Sequence, residues 1–101
     1  MATPNIVKTA PVATVTDDSV TVGAASTTIL AANPLRTNVV LTNDSDETIY
    51  ISRGDTAVMN KGIRVNASGG SYEIGVLNMY RGIVTGICSS GTKNMCVSEG
   101  I

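Results

Sequence analysis

Apolar and polar residues alternate with a period of two along much of the chain, the pattern of strands that bury one face. Val20 and Val22 alternate with Ser19 and Thr21, and after the break at Gly23-Ala24-Ala25 the segment Thr27-Thr28-Ile29-Leu30 follows. Asn33-Pro34 marks a turn, and residues 36–43 form the strongest predicted strand. The turn-forming acidic run Asp44-Ser45-Asp46-Glu47 separates it from Thr48-Ile49-Tyr50-Ile51-Ser52, where Ile49 and Ile51 point one way and the polar residues the other. The spacing predicts that these two strands pair as a β-hairpin. Residues 53–62 read as irregular, with a single helical turn at Ala57-Val58-Met59. Ile63-Arg64-Val65 and Ser71-Tyr72-Glu73-Ile74 read as short strands around an Asn, Ser and Gly loop. Residues 82–88 and 93–98 flank Ser89-Ser90-Gly91-Thr92 and predict a second hairpin. Gly and β-branched residues interrupt every helical window. About eight short strands at roughly ten-residue spacing predict an all-β fold, an antiparallel β-sandwich or jelly-roll-like barrel.

Residues 1–18 differ from the rest. Pro4 and Pro11 fix φ and remove backbone donors, so the segment reads as an extended N-terminal arm ahead of a sandwich domain over residues 19–101. Ile6, Val7, Val12 and Val15 are its candidate anchors on an apolar surface, the arm clasping a neighbouring subunit. The other reading of this segment is a frayed terminus.

Composition narrows the partners. The chain has 101 residues, room for one domain. Charged residues make up only 15% of it, against about 25% in ordinary soluble domains, so neutral Thr, Ser and Asn must cover the surface. A net charge of -1 with scattered Lys and Arg argues against a nucleic-acid partner, which needs clustered cations to displace counterions. The same low charge lets like copies pack densely. No apolar run approaches the roughly 20 residues that cross a bilayer, and Met1-Ala2-Thr3-Pro4 lacks the basic-then-apolar design of a signal peptide. The expectation is synthesis in a cytoplasm, with no membrane partner.

Candidate chemistry is sparse. The sequence contains no His, the usual general base and the commonest zinc ligand, so the chain is expected to be no enzyme and to need no metal or cofactor. Asp44, Asp46 and Glu47 offer oxygen ligands without the spacing of a calcium loop and read as a solvated turn. Cys88 and Cys96 lie in the two arms of the predicted second hairpin, where alternation puts both sulfurs on one face. A disulfide between them is one reading, two free thiols the other. Arg53-Gly54-Asp55 matches an adhesive tripeptide but reads as a turn, and the patterns at Asn43 and Asn66 matter for glycosylation only in a secreted eukaryotic chain. Tyr50, Tyr72 and Tyr80 are the only aromatics. Tyr80-Arg81 is the candidate surface anchor, and the structural alternative is tyrosines that seal the core ends.

From residue 19 onward the order of features resembles small bacteriophage virion structural proteins, the β-sandwiches that decorate capsids or join tails. The resemblance rests on Thr27-Thr28-Ile29-Leu30 leading into Asn33-Pro34-Leu35-Arg36, on the strands ending at Asn43 and Ser52, and on Gly62, Gly69-Gly70-Ser71-Tyr72-Glu73 and Tyr80-Arg81-Gly82-Ile83-Val84. It implies a virion protein without catalytic residues, most of all a capsid decoration or cement protein. The partners implied are the major capsid protein or other virion proteins, and further copies in a symmetric homo-oligomer, a trimer by expectation. A tail, collar or fibre component is the alternative.

Overall fold

The computed structural model describes residues 13–101. Among these the chain forms eight strands: β1 (Val15–Val22), β2 (Thr27–Leu30), β3 (Asn38–Asn43), β4 (Ile49–Arg53), β5 (Ile63–Val65), β6 (Ser71–Ile74), β7 (Val84–Cys88) and β8 (Lys93–Gly100). A single 3-10 turn, Val76–Asn78, lies between β6 and β7. The strands make two four-stranded antiparallel sheets, ordered β1-β8-β3-β6 and β2-β7-β4-β5. The pairs β1·β8, β2·β7, β3·β6 and β4·β5 are nested, as though the chain were doubled back on itself and rolled, and β8·β3 and β7·β4 complete the sheets. This order is a jelly-roll sandwich.

Period-two alternation builds the core. β3 buries Val39, Leu41 and Asn43 and turns Asn38, Val40 and Thr42 outward, while β4 buries Ile49 and Ile51. These residues meet Val22, Leu30, Ile74, Val84, Met95 and Val97 between the sheets. β7 is buried along its whole length because it is central in its sheet and its outer face is covered. The segment after β4 folds across that face, with the Thr85 hydroxyl donating to the Asp55 carbonyl at 2.6 Å and the Ala57 amide donating to Ser26 Oγ. The helical turn expected at Ala57-Val58-Met59 is absent, and only a turn at Met59-Asn60 occurs there. Gly86, on the core side of β7, is where the side chains of Ile29 and Ile49 close in.

Both predicted hairpins are corrected. β3 and β4 belong to different sheets, and so do β7 and β8. Residues 44–48 and 89–92 carry the chain across the core from one sheet to the other. Consecutive strands facing each other across a core bury the same alternate residues as consecutive strands paired side by side, so the pattern cannot tell the two apart. The local hairpin is β4–β5, with Ile49 opposite Val65. The arm boundary also moves. Residues 15–18 are ladder residues of β1, Val15 pairing with Gly100 and Asp18 with Val97.

Because the ladders are antiparallel, every loop falls at one of two ends. Residues 31–37, 54–62 and 75–83 share the end where the chain enters β1 and leaves β8, here the proximal end. Residues 23–26, 44–48, 66–70 and 89–92 share the distal end.

Candidate functional site: the two ends of the sandwich

The proximal end is organised around Arg36, a charged side chain with no solvent exposure. Its Nε donates to Glu99 Oε2 at 2.6 Å, Nη1 to the carbonyls of Tyr80 and Gly82 at 2.7 and 3.1 Å, and Nη2 to the Ala31 carbonyl at 2.8 Å. The planar guanidinium has donors in the directions needed to join three chain segments at once. Arg81 Nε returns the tie to the Arg36 carbonyl, and the Asn33 amide donates to the Arg81 carbonyl. Arg36 flanks a strand in the sequence like three other arginines, and nothing local marks it for burial.

On this platform stand exposed apolar side chains. Leu35 is 66% exposed and Leu77 fully so, and Val15, Val76, Ile83 and Ile101 are exposed at the same end. Among the described residues most of the exposed large apolar side chains thus lie at the proximal end, and Val58 stands apart on the segment that folds over the outer face of β7. Two of the presenting turns are stapled by asparagines. Asn33 Oδ1 accepts the Leu35 amide, and Asn78 takes the Gly75 amide on Oδ1 while Nδ2 donates to the Glu73 carbonyl. The leucines are therefore held out by fixed backbone. The signal in the sequence was apolar residues sitting inside turn formers, as in Asn33-Pro34-Leu35 and Gly75-Val76-Leu77-Asn78. Arg53, Lys61 and Arg81 are exposed at this end together with the acids Asp55 and Glu73, while Arg36 and Glu99 are paired internally.

The distal end has the opposite character. Asn43, fully buried, anchors it, its Nδ2 donating to the carbonyls of Glu47 and Val65. Its loops are small and polar, with Asp44, Asp46 and Glu47 against Lys93 and against Arg64, whose Nε donates to Asn66 Oδ1. Lys93 Nζ lies 2.7 Å from Asp46 Oδ1; the bond and the charge hold the Asp46 carboxyl below its ordinary range and raise the Lys93 amine. The Ser90 hydroxyl and amide both donate to Glu47 and lower its carboxyl too. Asp44, Ser45, Asp46, Ser68 and Gly69 line an open concavity of about 540 Å³. Among the described residues no group of His, Cys, Asp and Glu is arranged to hold a metal ion.

No family model matches the chain, and no curated protein matches it. A solved Bacillus endospore appendage protein, from "a novel family of disulfide-linked pili", is 18% identical over 99% of both chains with a TM-score of 0.43. That likeness assigns neither family nor function.

The candidate residues named from sequence scatter. Cys88 is buried in the core, its thiol donating to the Val22 carbonyl at 3.3 Å, whereas Cys96 stands on the outer face of the other sheet between Ser19 and Thr42. Both are free, so the disulfide reading is overturned. The cause is the sheet-to-sheet crossing at residues 89–92, which puts the two strands in separate layers. Tyr80 is half-buried, and its hydroxyl donates to the Ile83 carbonyl, so it packs on the core while Arg81 is exposed. Val15 is exposed at the start of β1. Ile6, Val7 and Val12 lie outside the described residues. Arg53-Gly54-Asp55 is an exposed turn with Gly54 at φ 84°.

Proposed function

We propose that this chain is a non-enzymatic structural subunit acting in many copies, most of all as a capsid decoration protein that stabilises a phage head by subunit contacts. The observation that carries the reading is β1. It is an eight-residue strand at the edge of its sheet, exposed over its first five residues, and it continues directly from the proline-containing segment. A long edge with unpaired backbone groups is a template for strand addition, and natural proteins seldom leave one without cover. Beside it, Thr16, Asp18 and Val20 of β1 line a cleft of about 180 Å³ with Ile29, Leu30 and Glu99. In this reading residues 1–12 of one copy reach a neighbouring virion protein or another copy, and many such contacts add to a collective stability. The jelly-roll order is a capsid architecture among others and agrees with it.

Deleting residues 1–12 leaves every described ladder in place and tests the reading. The shortened protein melts like the full chain but is not incorporated into particles, or gives them no added heat resistance. Unchanged incorporation together with unchanged heat resistance would refute the role of the arm. A tail, collar or fibre component is the second reading, favoured by the unlike ends of the sandwich, because unlike ends propagate into open assemblies. Immunogold labelling of intact particles separates the two.

A further inference from the structure

We propose that residues 5–10 of a second copy add as a strand to the free edge of β1 and cover the cleft beside it. This rests on the reading of the chain as a structural subunit and names that reading's partner as another copy. The phase of the β1 ladder is set by Thr14 and Ile101, which exchange both backbone bonds at 3.1 and 2.9 Å. In the one-to-one register that follows, Thr16, Asp18, Val20 and Val22 bond to β8. Val15, Asp17, Ser19 and Thr21 turn their amides and carbonyls to the outside, where no described strand meets them. The same alternation sends the side chains of Thr16, Asp18 and Val20 into the cleft they share with Ile29, Leu30 and Val97. An edge of this length is a template for another strand.

The sequence ahead of β1 fits that edge. Pro4 and Pro11 bracket six residues, Asn5 to Ala10, that all keep an amide donor, a strand of roughly 20 Å. Laid antiparallel with Lys8 opposite Asp18, the segment puts Ile6 beside Val20 and Ala10 beside Thr16 on the inward face. Asn5, Val7 and Thr9 then meet the outward backbone groups of Thr21, Ser19 and Asp17. Pro4 falls opposite Val22, whose backbone groups belong to β8, and Pro11 opposite Val15 at the end of the edge, so the prolines forgo little. Charge agrees. The charged residues of β1, β2, β7, β8 and residues 31–37 are Asp17, Asp18, Arg36, Lys93 and Glu99. Arg36 is buried against Glu99, and Lys93 pairs with Asp46 at the distal end, which leaves the two aspartates of β1. Lys8 is the only charged side chain in residues 1–12. An aspartate on the inward face disfavours an all-apolar strand and admits one with a cation at that position. When Lys8 takes that carboxylate, the Ser19 amide that Asp18 Oδ1 holds at 2.8 Å is released to the arm. A chain's own arm does not reach this register, because it would have to reverse at residues 12–14 through a residue at positive φ. The stretch from Ile6 to Thr14 has no Gly, Asn or Asp, and Ala13 and Thr14 have no positive φ and bond to Ile101.

The test begins with sedimentation velocity of the full chain over a wide concentration range, where self-association that disappears on deleting residues 1–12 is expected. Lys8→Glu and Asp18→Lys each set like charges opposite one another and are expected to lower the association constant by about tenfold or more, and the chain carrying both is expected to regain it. Cross-linking in a Cys96→Ser background reads the contact itself. Chains carrying Lys8→Cys, mixed with chains carrying Asp18→Cys under mild oxidation, are expected to yield a disulfide between positions 8 and 18 of different copies, since directly opposed residues that are not hydrogen-bonded lie within bridging distance. The same mixture with Arg64→Cys, on the β5 edge of the other sheet, is expected to yield none. A full chain that is monomeric throughout overturns the proposal, and so does association unmoved by both charge variants. A chain carrying Lys8→Cys and Asp18→Cys together that closes the bridge within itself at high dilution also overturns it, by placing the arm on its own β1. If the full chain is monomeric while deleting residues 1–12 still abolishes incorporation into particles, the arm reading stands and its partner is a different virion protein.

Discussion

Arg36→Ala removes the donor that ties residues 31–37, residues 75–83 and the end of β8 together. The change leaves the carbonyls of Ala31, Tyr80 and Gly82 without that partner and strands the Glu99 carboxylate, whose side chain is only 20% exposed. Breaking a buried ion pair by removing one partner costs about 3–5 kcal/mol, because the remaining charge and acceptors stay desolvated. Such a loss is a large share of the roughly 5–15 kcal/mol that holds a domain of this size. At about 4–8 °C per kcal/mol it lowers the melting midpoint by roughly 12–40 °C. Arg36→Lys restores the charge but not the geometry: an ammonium presents its donors from one nitrogen and cannot reach acceptors spread around a guanidinium plane. It should therefore recover only part of the loss. Glu99→Gln, which keeps an acceptor and removes the charge that would be stranded, should make Arg36→Ala milder in the double variant than in the single one. Urea titrations of the parent, the three single variants and the double variant measure these differences. An Arg36→Ala cost below about 1 kcal/mol, the scale of an ordinary hydrogen bond, would refute the central role given to this residue.

Three other expectations concern separate parts of the fold. Alkylation of the native protein should label Cys96 only, with Cys88 reacting after denaturation, and intact-mass analysis that finds two native labels or a disulfide counts against the sheet assignment. Gly62→Ala should destabilise by at least the roughly 1–2 kcal/mol cost of a left-handed residue, since Gly62 sits at φ 83° with its Cβ direction blocked by the Ile51 carbonyl oxygen; an unchanged melting midpoint would count against that geometry. The carboxyls of Asp46 and Glu47 are depressed in the folded state, so their stabilisation is present above the ordinary carboxylate range and is lost as pH falls through their lowered folded values. Ser90→Ala, which removes the hydroxyl that donates to Glu47, should flatten the acid limb of the stability curve measured by urea midpoints, while an identical acid limb would count against the Ser90–Glu47 bond.

Local pattern carried the strand content, the inward residues of β3 and β4 and the all-β class, because a strand half-buried on a core must alternate whatever its neighbours are. Pairing was beyond its reach. Alternation says which side chains face the core but not whether the next strand lies beside or across it, and for that reason Cys88 and Cys96 seemed opposed while sitting in separate sheets. The proximal surface was half-legible, since Leu35 and Leu77 stand among Asn, Pro and Gly, where apolar residues are unusual. Arg36 was not legible at all. Its partners Tyr80, Gly82 and Glu99 lie 44, 46 and 63 residues away, and only the nested antiparallel ladders bring those carbonyls and that carboxylate around one guanidinium. The gathering of most exposed large apolar residues at one end likewise belongs to topology: the sequence places them on β1, in two loops and at residue 101, and the antiparallel order brings those positions to the same end.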